Sequence, residues 1–277
     1  HPFYKTGEIR ALATIKQSIT THRGCIGQCN FCAIAVHQGR QIVSRSPQSI
    51  MTEAERIRQR PGFNGIIYDV GGPTANMYGI SCRKGWVCPD KHCLMPKICP
   101  QLRFGHQAQI AILRQLLDLP GIKKVFVASG IRPDLVMADQ ENGRRYLAQL
   151  ARYHVSGQIK LAPEHSEPAV LKLMNKPPPE SLLKFKDAFD SVCAVAGKDY
   201  FMTYYLMAAH PGCTMEHMQR LKSFLSAGLK TTPEQVQIFT PIPSTWSALM
   251  YYTEVDPITG KRLFVEKNIA SKDEQKN

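Results

Sequence analysis

Short apolar or β-branched runs alternate along this chain with longer stretches of helical period. The runs Ile15 to Thr20, Gly65 to Val70, Lys124 to Ala128, Gln158 to Leu161, Tyr200 to Met207 and Gln235 to Phe239 each stop at glycine, proline or a cysteine cluster. They read as six strands with loops after them. Helical spacing fills the gaps over Pro47 to Arg60, Gln107 to Leu117, Gly143 to Arg152, Ser181 to Ala196 and Met215 to Ala227, the first with Ser46 as N-cap and Pro47 in its first turn. Repeated strand–helix order predicts a parallel α/β sheet. Right-handed crossovers let such a sheet open as a doubly wound layer or curl toward a barrel, and six units fill only part of an eight-stranded ring. Either way, the loops after the strands gather on one face, where sites are built. Ser81 to His106 is rich in Cys, Pro and Lys without a strong period and reads as an insertion after the second strand, while Pro177 to Pro179 separate two helices. One domain over residues 1–268 is expected. Residues 269–277 carry little to bury and are expected to fray or to link to a further region, as the non-Met first residue also suggests a segment of a longer chain.

With 277 residues the chain can bury a real core. Its 43% hydrophobic and 21% charged content excludes fibrous and low-complexity classes. No apolar run approaches the ~20 residues of a membrane span: the best, Ile110 to Leu119, is broken by Arg114, Gln115 and Asp118. The excess of 35 Lys and Arg over 22 Asp and Glu leaves +13, which favours phosphate-rich partners, so RNA is an expected partner. Cysteine changes the picture more. There are nine, an odd number, and seven fall in two local groups, Cys25, Cys29 and Cys32, then Cys82, Cys88, Cys93 and Cys99. Odd and clustered argues for metal rather than disulfides, and for a reducing, cytoplasmic compartment.

In Cys25-Ile-Gly-Gln-Cys29-Asn-Phe31-Cys32 three thiolates on a short loop after the first strand can hold three irons of a cubane, leaving the fourth iron to a non-cysteine ligand. A ferredoxin would supply a fourth cysteine. Gly24 and Gly27 suit the tight loop. A zinc half-site or unrelated thiols are the bland alternatives.

The spacing C-x3-C-x2-C with an aromatic before the last cysteine resembles the signature of the radical SAM superfamily. The resemblance implies a partial (β/α)6 TIM-like barrel, a 4Fe-4S cluster on Cys25, Cys29 and Cys32, and S-adenosylmethionine (SAM) chelated to the open iron. It also implies a flavodoxin- or ferredoxin-like electron donor, and reductive cleavage to methionine and a 5'-deoxyadenosyl radical that abstracts hydrogen from substrate. Further segments carry the likeness. His37-Gln-Gly39-Arg40 with Ser44-Arg45-Ser46-Pro47 is similar to the methylthiotransferase branch and to YgiQ-type proteins. Gly71-Gly72-Pro73 stands where the superfamily has Gly-Gly-Glu, with proline replacing the acid. Lys160-Leu-Ala-Pro-Glu164-His165-Ser166 and His210-Pro-Gly212 resemble the regions after the fourth and fifth strands, and Phe239-Thr-Pro-Ile-Pro-Ser-Thr245 resembles YgiQ-type proteins most closely. The resemblance implies that Phe31, Gly71, Gly72, Pro73, Asn76, Ser129, Arg132, Lys160, Glu164, Ser166, Ile238 and Phe239 contact the cofactor. Arg132 and Lys160 would bind the methionine carboxylate and Glu164 the ribose hydroxyls. Each has a plainer reading: Asn76 as a turn cap, the two cations as surface charges, the glycines as a strand-ending turn. His210 is expected to be structural, Cys193 core, and Cys213 a buried thiol rather than a thiyl relay. Cys82, Cys88, Cys93 and Cys99 supply enough ligands to close a second site, an auxiliary iron–sulfur cluster or a structural zinc, with His92 or His106 as substitutes. No catalytic acid or base, and no substrate, is indicated. An iron–sulfur or zinc protein without radical chemistry, serving electron transfer or RNA binding, is the alternative class, as is an RNA-modifying methylthiotransferase-like activity within the enzyme class.

Overall fold

A computed structural model describes residues 15–89, 92–233 and 235–276; residues 1–14 of the expected domain and Asn277 lie outside the described residues. In chain order the strands are β1 (Ser18–Thr20), β2 (His22–Arg23), β3 (Val43–Ser44), β4 (Ile66–Ile67), β5 (Asp69–Gly71), β6 (Ser81–Cys82), β7 (Leu102–Arg103), β8 (Lys124–Val125), β9 (Gln158–Glu164), β10 (Phe201–Ala208) and β11 (Gln235–Ile238). All six expected strands are present, the second broken at Tyr68 into β4 and β5.

Their pairing is parallel and follows chain order. Ile19 pairs with Val70, Ile67 with Val125, Ile131 with Leu161, Tyr204 with Leu161 and Leu206 with Val236. Such order is what strand–helix–strand crossovers produce. Among the described residues no ladder returns β11 to β1. Two short antiparallel pairs, β2 with β3 and β6 with β7, tie loops at the cysteine-bearing end.

The helices form where the apolar spacing places them. Pro47–Arg58 starts at Ser46, whose hydroxyl accepts from the Ser49 N–H at 3.2 Å, and buries Ile50, Ala54 and Ile57 on one face. Glu180–Ala196 buries Leu182, Phe185, Phe189, Val192 and Cys193 and ends at Gly197, whose φ of 63° the helix terminus requires. One continuous core joins strand residues Ile19, Ile67, Val70, Val125, Leu161 and Leu206 to helix residues Leu113, Tyr146, Phe185 and Phe189. Each large apolar side chain buried this way contributes about 1.5–3 kcal/mol.

The structure differs from the sequence reading at several places. Helices at Pro133–Ala138, Pro168–Met174 and Trp246–Thr253 were not expected; two begin with proline in the first turn and all are too short for a clear period. The C-terminal end corrects the expectation of fraying: Ile269–Lys276 is a helix, and buried Gln275 accepts the Ala209 N–H through Oε1 at 3.0 Å. Lys272 Nζ also donates to the Tyr251 hydroxyl at 3.0 Å, so polar contacts dock this segment.

Candidate cofactor site

The loop after β1 and β2 brings Cys25, Cys29 and Cys32 to the wall of one cavity of about 180 Å3, at the carboxyl end of the parallel strands. Phe31, Pro73, Arg132, Glu164 and Lys176 line it with them. Two glycines shape the loop. Gly24 sits at φ 85°, and a Cβ there would lie 1.7 Å from the Gln41 carbonyl oxygen, so only glycine lets the two arms of the loop meet. At Gly27 a Cβ would lie 2.7 Å from the Arg132 guanidinium and 3.3 and 3.8 Å from the Cys25 and Cys29 sulfurs. The missing side chain therefore leaves room for a cation directly beneath two thiols.

That cation is well anchored. Arg132 is 8% exposed, its Nε donates to both Asp134 oxygens at 2.8 and 3.0 Å, and its Nη2 is a buried donor without a partner. Burial opposes the charge, but Asp134 and the Cys29 and Cys25 sulfurs outweigh it and hold the pKa above the ordinary arginine value. Asn76 grips the Arg132 backbone from both sides, accepting its N–H at 2.9 Å and donating to its carbonyl at 3.0 Å. The Asn76 amide in turn meets His106 Nε2 at 3.2 Å, and the other ring nitrogen of His106 meets Asp139 at 2.7 Å. Burial lowers the His106 pKa despite that carboxylate.

The thiols sit in a poorly solvated wall. Burial, and then the neighbouring Cys29 sulfur, raises the Cys25 pKa; burial likewise raises that of Cys32. Arg132 and Lys176 are the cations that counter this. Among the described residues no three His, Cys, Asp or Glu converge on one point within reach of a single metal ion. In a cubane each thiolate binds its own iron.

Glu164 enters the cavity at the end of β9 through an irregularity. The β9–β10 register shifts between Tyr204 and Leu206, opposite Pro163, which cannot donate to a ladder, and Glu164 itself lies at φ 68°. A non-glycine residue held in the left-handed region is strained, and such strain concentrates at sites. Burial raises the Glu164 pKa, with Lys176 Nζ at 3.9 Å from Oε1 opposing it.

The other expected contacts are distributed around this centre. Gly71, Gly72 and Ser129 line a neighbouring cavity that shares Pro73 and Ile34 with the first. Gly72 also has a packing reason to be glycine, since a Cβ would lie 2.5 Å from the ring of buried His22. Asn76 is 3% exposed and stands behind the cavity, holding Arg132. Lys160 contributes its carbonyl, which accepts the Ile131 N–H at 3.0 Å, and its side chain is outside the lining. Ser166 is buried and its hydroxyl has no partner. Phe239 packs on the His210 ring at 5.1 Å, which meets Phe31 edge-on at 6.3 Å, so Phe239 supports the wall from behind while Ile238 ends β11. His210 is buried with Nε2 at 2.7 Å from Ser247 Oγ, and Cys193 and Cys213 are buried. Thr74, Asp134 and Lys176 line the cavity without having been singled out. Arg-Pro-Asp at a helix start signalled Asp134, and Lys176 follows Asn175, a left-handed helix cap.

The second cysteine group also shares a cavity: Cys82, Cys88, Cys93 and Cys99 line one of about 60 Å3 together with His92, whereas His106 is committed to Asn76 and Asp139.

A parallel strand array with three thiols of this spacing and a buried cation beneath them defines a class. The radical SAM superfamily profile matches residues 19–225, and the chain belongs to that superfamily. Among its relatives are UPF0313 proteins, the YgiQ-type group of the sequence resemblance. One from Fusobacterium nucleatum is 53% identical over 281 residues, covering all of this chain and 50% of the relative. One from Methanosarcina mazei is 46% identical over 271 residues, covering 97% and 42%. One from Thermotoga neapolitana is 42% identical, covering 100% and 49%. The chain thus spans half the length or less of these relatives. Among solved structures, the cobalamin-dependent S-adenosylmethionine radical enzyme OxsB with aqua-cobalamin bound superposes with a TM-score of 0.53 at 15% identity, over 88% of this chain and 31% of that one, a likeness of fold.

Proposed function

We propose that this chain binds a 4Fe-4S cluster through Cys25, Cys29 and Cys32 and SAM beside it, and directs reductive cleavage of SAM toward hydrogen abstraction from a substrate that the site does not identify. The reading rests chiefly on one observation: the three thiols share a cavity with a buried guanidinium whose Nη2 lacks a partner. When bound, the cluster supplies the electron that splits the sulfonium into methionine and a 5'-deoxyadenosyl radical.

The chain's own residues do the rest. Cys25, Cys29 and Cys32 would hold three irons of the cluster and leave the fourth to SAM. Arg132, fixed by Asp134 and Asn76, offers Nη2 to the methionine carboxylate through a charge-assisted hydrogen bond. Glu164, turned inward by the β9 irregularity, accepts the ribose hydroxyls. Gly71 and Gly72 present main chain to the methionine amine, and Phe31 and Ile34 exclude water from the reacting face. We further infer that the six parallel strands curl as a partial (β/α)6 barrel with 81–106 inserted after the second strand, which chain-order pairing and the absence of a closing ladder among the described residues support. A low-potential electron donor of flavodoxin or ferredoxin type completes the chemistry.

Anaerobically reconstituted protein with dithionite and SAM should release 5'-deoxyadenosine, and Cys29→Ala should lose both that product and the SAM-sensitive cluster. A reconstituted wild-type chain that releases none supports the alternative, an iron–sulfur protein without radical chemistry.

A further inference from the structure

The geometry points to a second iron–sulfur centre, held by Cys82, Cys88, Cys93 and Cys99 behind the loop of the first. All four thiols line one cavity although 16 residues lie between the first and the last, and no disulfide joins any of them. The stretch 83–101 has neither helix nor strand among its described residues. Runs of that length without regular structure are uncommon in compact domains, and among the described residues of this one only Leu94 is buried. Each cysteine nevertheless carries a backbone hydrogen bond: the Cys82 carbonyl accepts from Gly85 at 3.0 Å, Cys88 N–H donates to the Trp86 carbonyl at 3.1 Å, and Cys99 N–H donates to the Cys93 carbonyl at 2.9 Å. Four thiols brought around one space by a segment with little core of its own is the arrangement that a metal centre stabilises.

The donor set favours a cluster over zinc. Two of the three spacings between these cysteines, five residues each, exceed the two to four common between paired zinc ligands. Thiols spaced around a common cavity suit a cubane, one thiolate to each iron. Unlike the first group, four cysteines leave no open corner, so the second centre would not chelate SAM. Four thiolates around a 4Fe-4S core carry net negative charge, and Arg40 and Lys84 line the same cavity. The two centres share support: Ile26, between Cys25 and Gly27, is fully buried in a small apolar cluster with Leu94 and Leu102, against which Cys25, Cys93 and Cys99 pack. The inference does not depend on SAM cleavage.

The test is metal and sulfide analysis of the full chain after anaerobic reconstitution with iron and sulfide. Wild type should hold about eight irons and as many acid-labile sulfides, and reduction should give two electron paramagnetic resonance signals, of which SAM alters one. Cys25→Ala/Cys29→Ala/Cys32→Ala should retain about four irons in a signal indifferent to SAM, and Cys88→Ser/Cys93→Ser about four in a signal that SAM shifts. Wild type saturating at about four irons, or a triple variant that folds and holds zinc without sulfide, overturns the proposal. The wild-type count decides even if a variant does not fold.

Discussion

Replacing Arg132 by methionine separates its two jobs. The guanidinium neutralises Asp134, whose side chain is 12% exposed, and offers Nη2 to the cavity. Removing the cation alone leaves a nearly buried carboxylate unpaired, which costs about 3–5 kcal/mol of stability. At ~2–4 °C per kcal/mol for a chain of this size, the melting temperature of Arg132→Met should fall by roughly 6–20 °C. Adding Asp134→Leu removes the stranded charge, so the double variant should recover most of that loss. SAM binding should not recover with it. A charge-assisted hydrogen bond contributes about 1.5–3 kcal/mol, so the double variant should bind SAM about 10- to 150-fold more weakly than wild type. The assay pairs thermal unfolding with equilibrium binding of SAM to the reconstituted chain. A double variant that regains stability and binds SAM within twofold of wild type would refute the role given to Arg132.

Gly24→Ala should abolish cluster assembly while the protein remains folded by circular dichroism, because the added Cβ would overlap the Gln41 carbonyl at 1.7 Å and the residue sits at φ 85°; an alanine variant that binds full iron would contradict this. Gly72→Ala should destabilise by roughly 1–3 kcal/mol through its clash with the His22 ring at 2.5 Å, read as a lowered urea midpoint. Burial lowers the pKa of His154 and His210 to about 4 and that of His165 to about 3, from 6.5. The unfolded chain then binds more protons below pH 6.5, so stability complete above that pH is lost as pH falls toward 4, by up to ~3 kcal/mol per histidine; a urea midpoint constant between pH 6.5 and 4.5 would exclude this.

Much of the fold was legible because it rests on periodicity. The strands from Ile19 to Ile238 and the helices over Pro47–Arg58 and Gln107–Leu117 carry patterns long enough to read, with proline and capping serine marking one start. Ile269–Lys276 was not, since its docking depends on Gln275 reaching the Ala209 amide, a contact that no apolar pattern announces. The three cysteines of the site were legible from spacing alone. The network that orients Arg132 was not: Asn76, His106 and Asp139 lie 30 or more residues apart and meet only through tertiary folding. Glu164 could be suspected from its place after a strand, but its inward turn depends on the register shift beside Pro163.

The central claim concerns the corner of the first cluster that no cysteine holds. Mössbauer spectra of reconstituted Cys88→Ser/Cys93→Ser, recorded with and without SAM, address it directly. One iron site of the cluster should change its isomer shift when SAM is added while the other three do not. A spectrum in which all irons remain equivalent and unmoved by SAM would contradict the account.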